Sequence, residues 1–460
     1  MSLIVGWLSI RWLSVTGKEG VDALSKDCYY RREMSKGASF SSQIKSMLRW
    51  LVPGLGVKRW VLVFLAGTTM ISVGLAIFLI DFYRTAPDAW WLPILSYISL
   101  RFLSRPLRVV IFAFIGVGLI SLGIWRLNFS LLVPFLRPGK AVVDTVAQFR
   151  QKDRGPKVVV IGGGHGQSTL LRGMKKFTRN LTAIVTVADD GGSSGRLRDS
   201  MGILPPGDIR NCLAALSNDE DLITQLFQYR FADSGGELEG HSFGNLFISA
   251  LSEIVGSFEE AVAESGRVLS VSGQVLPATL HDVRLVADMV LPYNSAEIRV
   301  KGETNIPAVN GKVRRLWLEP NSPPAFPKAV QALLKADMIV IGPGSLYTSI
   351  LPNLLVPDVA AAIRASAALK IFICNVTTQH GETEGYTCED HIDALKAHVG
   401  EDFFDLVVSN ENQQGDLPKG VEWVTASSTV EALYSLYRSD LADSKIPGKH
   451  DAHKLARSLI

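Results

Sequence analysis

A repeated unit of strand, polar turn and helix constrains this 460-residue chain more than any other feature of its sequence. Four short, mostly β-branched runs each end in a turn rich in Gly, Asp, Ser or Asn, and they lie at 157–161, 182–188, 336–341 and 370–375. Strands that alternate with helices form right-handed βαβ units and a mainly parallel sheet. The turns that follow parallel strands converge on the carboxyl edge of the sheet, where open α/β sheets bind ligands. The sequence therefore predicts an α/β domain with a ligand site at that edge.

The turn after the first strand is rich in glycine and reads Gly162-Gly-Gly-His-Gly-Gln-Ser168. Glycines let phosphate oxygens approach the backbone, and the helix that follows offers free N–H groups at its N-terminus. A dinucleotide fingerprint starting at Gly162 requires Gly at position 167, where Gln stands, and a Walker A loop requires Lys and then Ser or Thr. A second turn of this kind, Gly342-Pro-Gly-Ser345, follows a later strand. The two turns indicate phosphate binding, and tight packing of the chain is the alternative.

Two adjacent carboxylates, Asp189 and Asp190, follow the second strand in a segment that continues Gly-Gly-Ser-Ser-Gly. At the carboxyl end of a strand, such a pair can hold a divalent cation such as Mg²⁺ or a ribose hydroxyl. The alternative is a turn or a helix cap, because Asp, Gly and Ser are turn-forming residues.

Two further polar segments precede helical patterns. Residues 204–211 read LPPGDIRN, which predicts a helix with Asp208 as its N-cap. Residues 240–245 read GHSFGN, which places His241 and Asn245 at the start of an apolar helix over 246–255. His241 joins Asp189 and Asp190 as a catalytic candidate, and a structural histidine is the alternative.

The first third of the chain differs in composition, being rich in Leu, Ile, Val, Phe and Trp up to about residue 149. Trp60–Ile80 is a run of 21 uncharged residues, and Val109–Trp125 is a run of 17. A helix of about 20 apolar residues spans a bilayer, so these runs predict a two-helix transmembrane segment, with buried core helices as the alternative.

This prediction divides the chain into an N-terminal cytoplasmic extension (1–59), a transmembrane hairpin (60–126), a linker (127–154) and the α/β domain (155–460). Basic residues flank both apolar runs and modestly favour a cytoplasmic location for both chain ends. The expected location is the cell membrane, as a multi-pass protein whose C-terminal domain lies in the cytoplasm, with the lipid bilayer as a partner.

Charge and cysteine content narrow the functional classes. A formal net charge of +3, with no concentrated basic face, argues against nucleic acid as a partner. The four cysteines form no C-x-x-C pair, which predicts buried thiols rather than a metal site or disulfides. They are Cys28, Cys212, Cys374 and Cys388.

Six motifs in order resemble the bacterial gluconeogenesis factor family, in the superfamily of the 2-phospho-L-lactate transferase. They are GGGHGQS at 162–168, ADDGGSSGRLR at 188–198, PPGDIRN at 205–211, GHSFGN at 240–245, GPGSLYTSILPNLL at 342–355 and CNVTTQHGET at 374–383. The resemblance covers about residues 155–460. It implies a modified Rossmann-like fold and a nucleotide-containing ligand, with a UDP-sugar as the leading candidate. It also implies a role in cell shape and cell-wall precursor flow during gluconeogenic growth.

The resemblance assigns ligand contacts motif by motif. Glycines of the first turn and Ser168 would lie at the diphosphate, Asp189 and Asp190 at a metal or hydroxyl, Asn211 and Asn245 beside the ligand, and Gly344 with Ser345 at the second turn. The glycines concerned are Gly163, Gly164 and Gly166.

Two departures from the family pattern bear on the ligand. His165 stands where family members usually carry Thr, and Lys449-His-Asp451 replaces an Arg-His-Asp triplet. Lys lacks the planar, two-pronged contact that Arg makes with phosphate. If Lys449 touches the ligand, affinity will therefore differ from that of the family.

Two functions remain open at this point. One is a regulatory sensor of a nucleotide-sugar without chemistry, and the other is a Mg²⁺-dependent transferase of a phosphoryl-linked group. The absence of an obvious general base favours the sensor, and the broken fingerprint disfavours an NAD-dependent enzyme. Homo-oligomerisation and contact with cell-wall synthesis proteins are left open.

Overall fold

The computed structural model describes most of the chain from residue 57 onward, and the chain divides into two compact units, Met1–Arg150 and Gln151–Ile460. The described residues are 57–85, 97, 100, 102–132, 155–217, 220–232, 236, 238–291, 296–400 and 404–460. The prediction for residues 1–56 and the linker prediction over 133–154 lie outside them.

Both apolar runs of the first unit lie within helices, α1 (Val57–Thr85) and α2 (Arg105–Leu132). Their described side chains are largely exposed; Met70, for example, is 77% exposed and Phe114 78% exposed. Over the part of the chain whose side chains are described, no single helix combines the length and the apolar character needed to cross a bilayer. The two-helix transmembrane segment therefore stays a prediction.

The second unit is built on a seven-stranded parallel sheet. Its strands are β1 (Val158–Gly162), β2 (Leu181–Val185), β3 (Gln274–Pro277), β7 (Met338–Ile341), β8 (Leu369–Ile373), β9 (Leu406–Asn410) and β10 (Ser435–Ser439). The strand order is β10-β9-β8-β7-β1-β2-β3. From β1 the chain adds β2 and β3 on one side of the sheet. It then returns to pair β7 with the other side of β1, and it adds β8, β9 and β10 beyond β7. The strand order reverses between the neighbours β1 and β7. This is the topological switch point, at whose carboxyl edge open α/β sheets bind ligands.

Helices complete the second unit. They are α3 (Gly164–Met174), α4 (Gly192–Met201), α5 (Gly207–Leu216), α6 (Glu220–Gln228), α7 (Phe243–Val255), α8 (Phe258–Val268), α9 (Asn305–Ala308), α10 (Pro327–Leu334), α11 (Leu351–Leu354), α12 (Pro357–Ala365), α13 (Cys388–Val399), α14 (Ser428–Leu433) and α15 (Ala452–Arg457). A five-residue π-helix, Leu346–Ile350, precedes α11. Every residue of β1 and β2 is buried, as expected for parallel strands covered on both faces.

A smaller antiparallel sheet is inserted between β3 and β7. It has three strands in the order β5-β4-β6: β4 (Arg284–Val290), β5 (Glu297–Lys301) and β6 (Lys312–Glu319). Inward side chains such as Leu285 and Leu316 are buried in the common core, while neighbouring positions on β6 are exposed. This alternation is typical of a sheet with one solvated face.

The predicted α/β architecture with a mainly parallel sheet is confirmed, and the strand bounds differ by a few residues. The second predicted strand, 182–188, ends early at Val185, because its neighbour β1 ends at Gly162, opposite Val185. Cys212, Cys374 and Cys388 are buried free thiols, as predicted, and Cys28 lies outside the described residues.

Candidate functional site

The two glycine-rich turns meet at the switch point, because β1 and β7 are paired neighbours. Gly164 has φ +61°, a left-handed conformation that glycine adopts without strain. A Cβ on Gly166 would lie 2.5 Å from the carbonyl oxygen of Pro343 and 3.0 Å from the Cα of Gly344. Only a residue without a side chain allows this approach of the two backbones. The helix α3 begins at this point, with Gly163 as an N-cap that makes no side-chain hydrogen bond.

Buried amide side chains hold both turns in place. Gln167 is fully buried, and its Nε2 donates to the carbonyls of Val160 and Ile184, each at 2.9 Å. Its Oε1 accepts from Cys212 Sγ at 3.3 Å. Gln167 therefore ties together β1, β2 and α5. This structural role explains why a glutamine stands where a dinucleotide fingerprint has glycine.

The second turn is fixed in the same way. Asn353 Nδ2 donates to the carbonyl of Gly162 at 2.9 Å, so it bridges the π-helix region to the first turn. Asn375 accepts from the N–H of Gly344 at 3.3 Å and donates to its carbonyl at 2.9 Å. The backbone groups facing the switch point are thus positioned before any ligand arrives.

Cationic side chains surround the first turn. Desolvation by neighbouring protein atoms lowers the pKa of His165, and the charges of Lys449, Arg210 and Arg172 lower it further, in that order. Lys449 is exposed, whereas Arg210 is buried, with its Nε lacking a hydrogen-bond partner. Three cations beside the N-terminus of α3 make this position attractive to an anion.

Carboxyl groups lie on the other side of the same turn. A Cβ on Gly163 would lie 2.5 Å from Asp208 Oδ2, and Asp208 takes a backbone hydrogen bond from Gly164. Burial and then the charge of Asp189 raise the pKa of Asp208 to about 7. Burial, followed by the charges of Asp189 and Asp208, also raises the pKa of Glu303 well above its ordinary value. The raised pKa values reduce the negative charge that these groups carry beside the turn.

Asp208 does not cap α5, contrary to the sequence prediction. The N-cap is Pro206, which has no side-chain cap bond, and Asp208 is the second residue of the helix. Its carboxyl group is directed across to the N–H of Gly164 instead. The capping prediction failed because the polar partner comes from another strand–helix unit, which local sequence does not reveal.

Asp190 is hydrogen-bonded to a loop of the smaller sheet. Its carboxylate accepts from the N–H of Glu303 at 3.1 Å, and from the N–H and hydroxyl of Thr304 at 3.1 and 2.9 Å. Asp189 Oδ1 accepts from the N–H of Gly191 at 2.8 Å, which closes the turn after it. The two adjacent carboxylates therefore have different surroundings.

His241 and Asn245 meet a serine of the Asp189 segment. His241 Nδ1 lies 3.1 Å from the hydroxyl of Ser193, and Asn245 Nδ2 donates to the same hydroxyl at 3.0 Å. All three residues are buried, and Asn245 Oδ1 has no hydrogen-bond partner. Burial and the charge of Arg196 lower the pKa of His241, so a neutral imidazole is expected at pH 7.

The remaining predicted contacts are distributed around this centre. Ser168 donates to the carbonyl of His165 at 2.9 Å, within its own helix. Asn211 accepts from Arg210 at 2.9 Å. Ser345 and Thr348 hydrogen-bond the buried carboxyl of Glu382, whose pKa burial raises to about 7.

The structure brings the predicted residues of all six motifs to one edge of the sheet. Sequence reasoning missed three ionisable residues there, namely Arg210, Glu303 and Glu382. Arg210 and Glu382 stand inside motifs that were recognised, so their charge was an available signal. Glu303 had none, because it arrives from the inserted sheet.

The side chains that the structure describes do not form a metal-binding cluster by themselves. Within the described parts of the chain, no three His, Cys, Asp or Glu residues are grouped so as to hold a metal ion. Asp190 already accepts three hydrogen bonds from the loop at 303–304, and Asp189 accepts one from Gly191. Mg²⁺ ligation by the Asp189/Asp190 pair thus finds no support in this geometry.

Comparison with known proteins gives consistent matches. The profile of the family described as "2-phospho-L-lactate transferase CofD" matches residues 158–431, more than half of the chain. A relative from Nostoc sp. is 48% identical over 380 residues, which is 80% of each chain. The "Gluconeogenesis factor" of Bacillus subtilis is 45% identical over 314 residues, 66% of this chain and 97% of that relative. The crystal structure of a UPF0052 family member from Bacillus halodurans superposes with a TM-score of 0.61 and 42% identity, over 66% of this chain and 99% of that chain.

Proposed function

Because the chain belongs to the family of the 2-phospho-L-lactate transferase CofD and is a homologue of gluconeogenesis factors, we propose that it binds the diphosphate of a nucleotide-sugar between its two glycine-rich turns. One observation carries this proposal: backbones of the two turns approach each other at the switch point, at the start of α3. Cationic charge from Arg210, Arg172 and Lys449 beside that point complements a diphosphate.

We propose a UDP-sugar as the ligand and a regulatory role, in which binding reports precursor supply to cell-wall synthesis during gluconeogenic growth. The side-chain amides of Gln167, Asn353 and Asn375 pre-organise the turns, which suits a sensor because little ordering has to accompany binding. The proteins that would receive this signal are proposed to act in cell-wall synthesis, and self-association is proposed as a second form of contact.

A transferase is the second candidate, and Asp208 is the observation that favours it. A carboxyl group with a pKa of about 7, in contact with the first glycine turn, meets the requirement for a general base or acid near neutral pH. In that role it would accept the proton of an alcohol whose oxygen attacks the sugar-linked phosphorus of the diphosphate bound between the turns. The bridging P–O bond breaks in the same step, and the nucleoside monophosphate leaves with the bonding electron pair. The name of the matching family makes the same suggestion.

Calorimetry of the full-length protein with UDP-N-acetylglucosamine tests binding, and a product assay on the same samples tests chemistry. Gly164→Val should weaken binding at least about tenfold, because a β-branched side chain resists the positive φ and shields the backbone N–H groups. Gly256→Val is the matched control: Gly256 has φ +77° at the end of α7, with no atom within 4 Å of an added Cβ. Equal affinity for the ligand in both variants would refute the site.

Release of a product by the wild type, and its loss in Asp208→Asn, would replace the sensor by the transferase. Binding without product favours the sensor. Both functions use the same turns. The Gly164→Val variant therefore tests whether the ligand binds there, and the product assay tests whether a reaction follows.

We also propose that α1 and α2 anchor the protein in the cell membrane as a multi-pass hairpin with the α/β domain in the cytoplasm. The exposed apolar side chains of both helices support this location.

A further inference from the structure

A cleft of about 480 Å³ opens at the amino-terminal edge of the parallel sheet, opposite the edge that carries the glycine turns. It is lined by the residues that precede or begin β1, β2 and β3, together with one side of α10. Sites for small molecules commonly have volumes of about 300–1,000 Å³. The cleft is therefore large enough for a ligand and separate from the site described above.

The charged residues that line this cleft are all cationic. Lys157 precedes β1, Arg179 precedes β2, and Lys328 and Lys335 lie at α10. No Asp or Glu is among its described lining residues. The nearest acid in sequence to its wall, Asp337, uses Oδ2 to accept the N–H of Lys157 at 2.8 Å. Like charges gathered in a concave surface raise the local concentration of anions.

The helical spacing places a donor stripe along one wall. Lys328, Gln331 and Lys335 are three and four residues apart, so they share one face of the helical path, and all three are exposed. Asn180 also lines the cleft, and its side-chain amide donates to the carbonyl of Gly155 at 2.7 Å. Ammonium and amide groups together suit phosphate oxygens, which accept several hydrogen bonds.

A neighbouring cleft differs from this one in the charge of its lining residues. It has a volume of about 310 Å³ and shares Lys328 with the first, but its lining includes Glu259 beside Arg267 and many apolar side chains. An acid thus lines the smaller cleft, whereas no acid is among the described lining residues of the larger one.

We propose that the cleft of Lys157, Arg179, Lys328 and Lys335 is a second anion site, which binds a compact ligand bearing more than one phosphate charge. It lies at the other end of β1 and β2 from the proposed diphosphate site, so the protein has two anion sites on opposite edges of one sheet. The phosphate groups come either from a soluble metabolite or from the headgroup of an anionic lipid.

Calorimetry of the full-length protein with inorganic pyrophosphate tests the proposal. The Lys328→Gln/Lys335→Gln double variant should lose pyrophosphate binding at this cleft at least about tenfold, because each lost charge contact weakens a charge-assisted hydrogen bond. Its affinity for UDP-N-acetylglucosamine should stay unchanged. Lys419→Gln/Arg457→Gln removes the same charge from exposed positions outside the cleft and is the matched control.

A second variant, Gln331→Glu, places a carboxylate between the two lysines and should weaken pyrophosphate binding by repulsion alone. Wild-type pyrophosphate affinity in the double variant, or an equal loss in the control pair, overturns the proposal. A different result would contradict the proposed diphosphate site at the glycine turns, namely wild-type affinity of Gly164→Val for the UDP-sugar.

Sedimentation with phosphatidylcholine vesicles, with and without an anionic phospholipid, identifies the source of the phosphate. A lipid source predicts that the anionic lipid increases binding of the wild type and not of the double variant. A soluble source predicts the pyrophosphate effect without this difference. Either of these outcomes supports an anion site in the cleft. If neither is observed, the proposal is wrong.

Discussion

Asp208 shows how much a single residue's surroundings alter its chemistry. In an unfolded chain it is an ordinary carboxylate, but burial near Asp189 raises its pKa to about 7 in the folded protein. Glu382, buried beside Ser345 and Thr348, has its pKa raised to about 7 as well. Two carboxyl groups at the candidate site thus change charge close to neutral pH.

This change of charge predicts that the protein is less stable at alkaline pH. When the folded-state pKa of an acid lies above its unfolded value, the folded state binds more protons between the two values, and the free energy of unfolding falls as pH rises through that window. We expect each of the two groups to lower the free energy of unfolding by about 2–3 kcal/mol between about pH 5 and about pH 8, as followed by urea denaturation.

Asp208→Asn should reduce this decline, because an amide cannot ionise. Asp199→Asn is the control, since Asp199 lies in an exposed ion pair with Arg284. If the slope with pH is the same in both variants, Asp208 is not the group responsible.

The sequence predicted which residues belong to the candidate site better than it predicted which residues they hydrogen-bond. The glycine turns, Asp189, Asp190, His241 and Asn245 were all identified from motifs, and the structure brings them to one edge. The partners of Asp190 and Asp208 were not, because they come from residues 303–304 and from Gly164, which only tertiary packing places nearby. Gln167 is a further example: its three hydrogen bonds explain an exception that the sequence showed without a reason.

Among the secondary-structure elements, the inserted sheet has the least obvious connection to the site. Its loop at 302–304 reaches the site through the carboxylate of Asp190 and the tight packing of Gly302, where an added Cβ would meet Asp190 Oδ2. Strands β4–β6 were not predicted from sequence, because their alternating pattern is weak beside the apolar strands of the parallel sheet.

Asp190→Asn should therefore loosen this loop rather than abolish ligand contacts. An amide retains one acceptor and presents N–H groups to the donors of Glu303 and Thr304, at a cost of about 1–3 kcal/mol. Hydrogen–deuterium exchange should accelerate at the amides of 303 and 304. Asp288→Asn, which removes the acceptor of an exposed Arg299 on the same sheet, should leave these amides unchanged. Faster exchange in both variants, or in neither, would contradict the coupling.

For the whole molecule, the prediction concerns its placement across the membrane. If α1 and α2 both span, the N-terminus and Ile460 share the cytoplasmic side, and the segment 86–101 lies outside. Alkaline phosphatase, which is active only outside the cytoplasm, should be inactive when fused after Ile460 and active when inserted within 86–101. Activity of the fusion after Ile460 would reverse the topology, and inactivity at both positions would argue against the hairpin.

The contact between the two glycine turns has a consequence for the order of events during synthesis. Asn353 and the Gly162 carbonyl that it bonds are 191 residues apart in the chain. At about 5–20 residues per second, a ribosome needs roughly 10–40 s to make that stretch. During this interval β1 is complete but β7 does not yet exist, so the nascent chain has the first half of the switch point and not the second. A nucleotide-sugar cannot protect the nascent chain from proteolysis or aggregation until its last third has emerged.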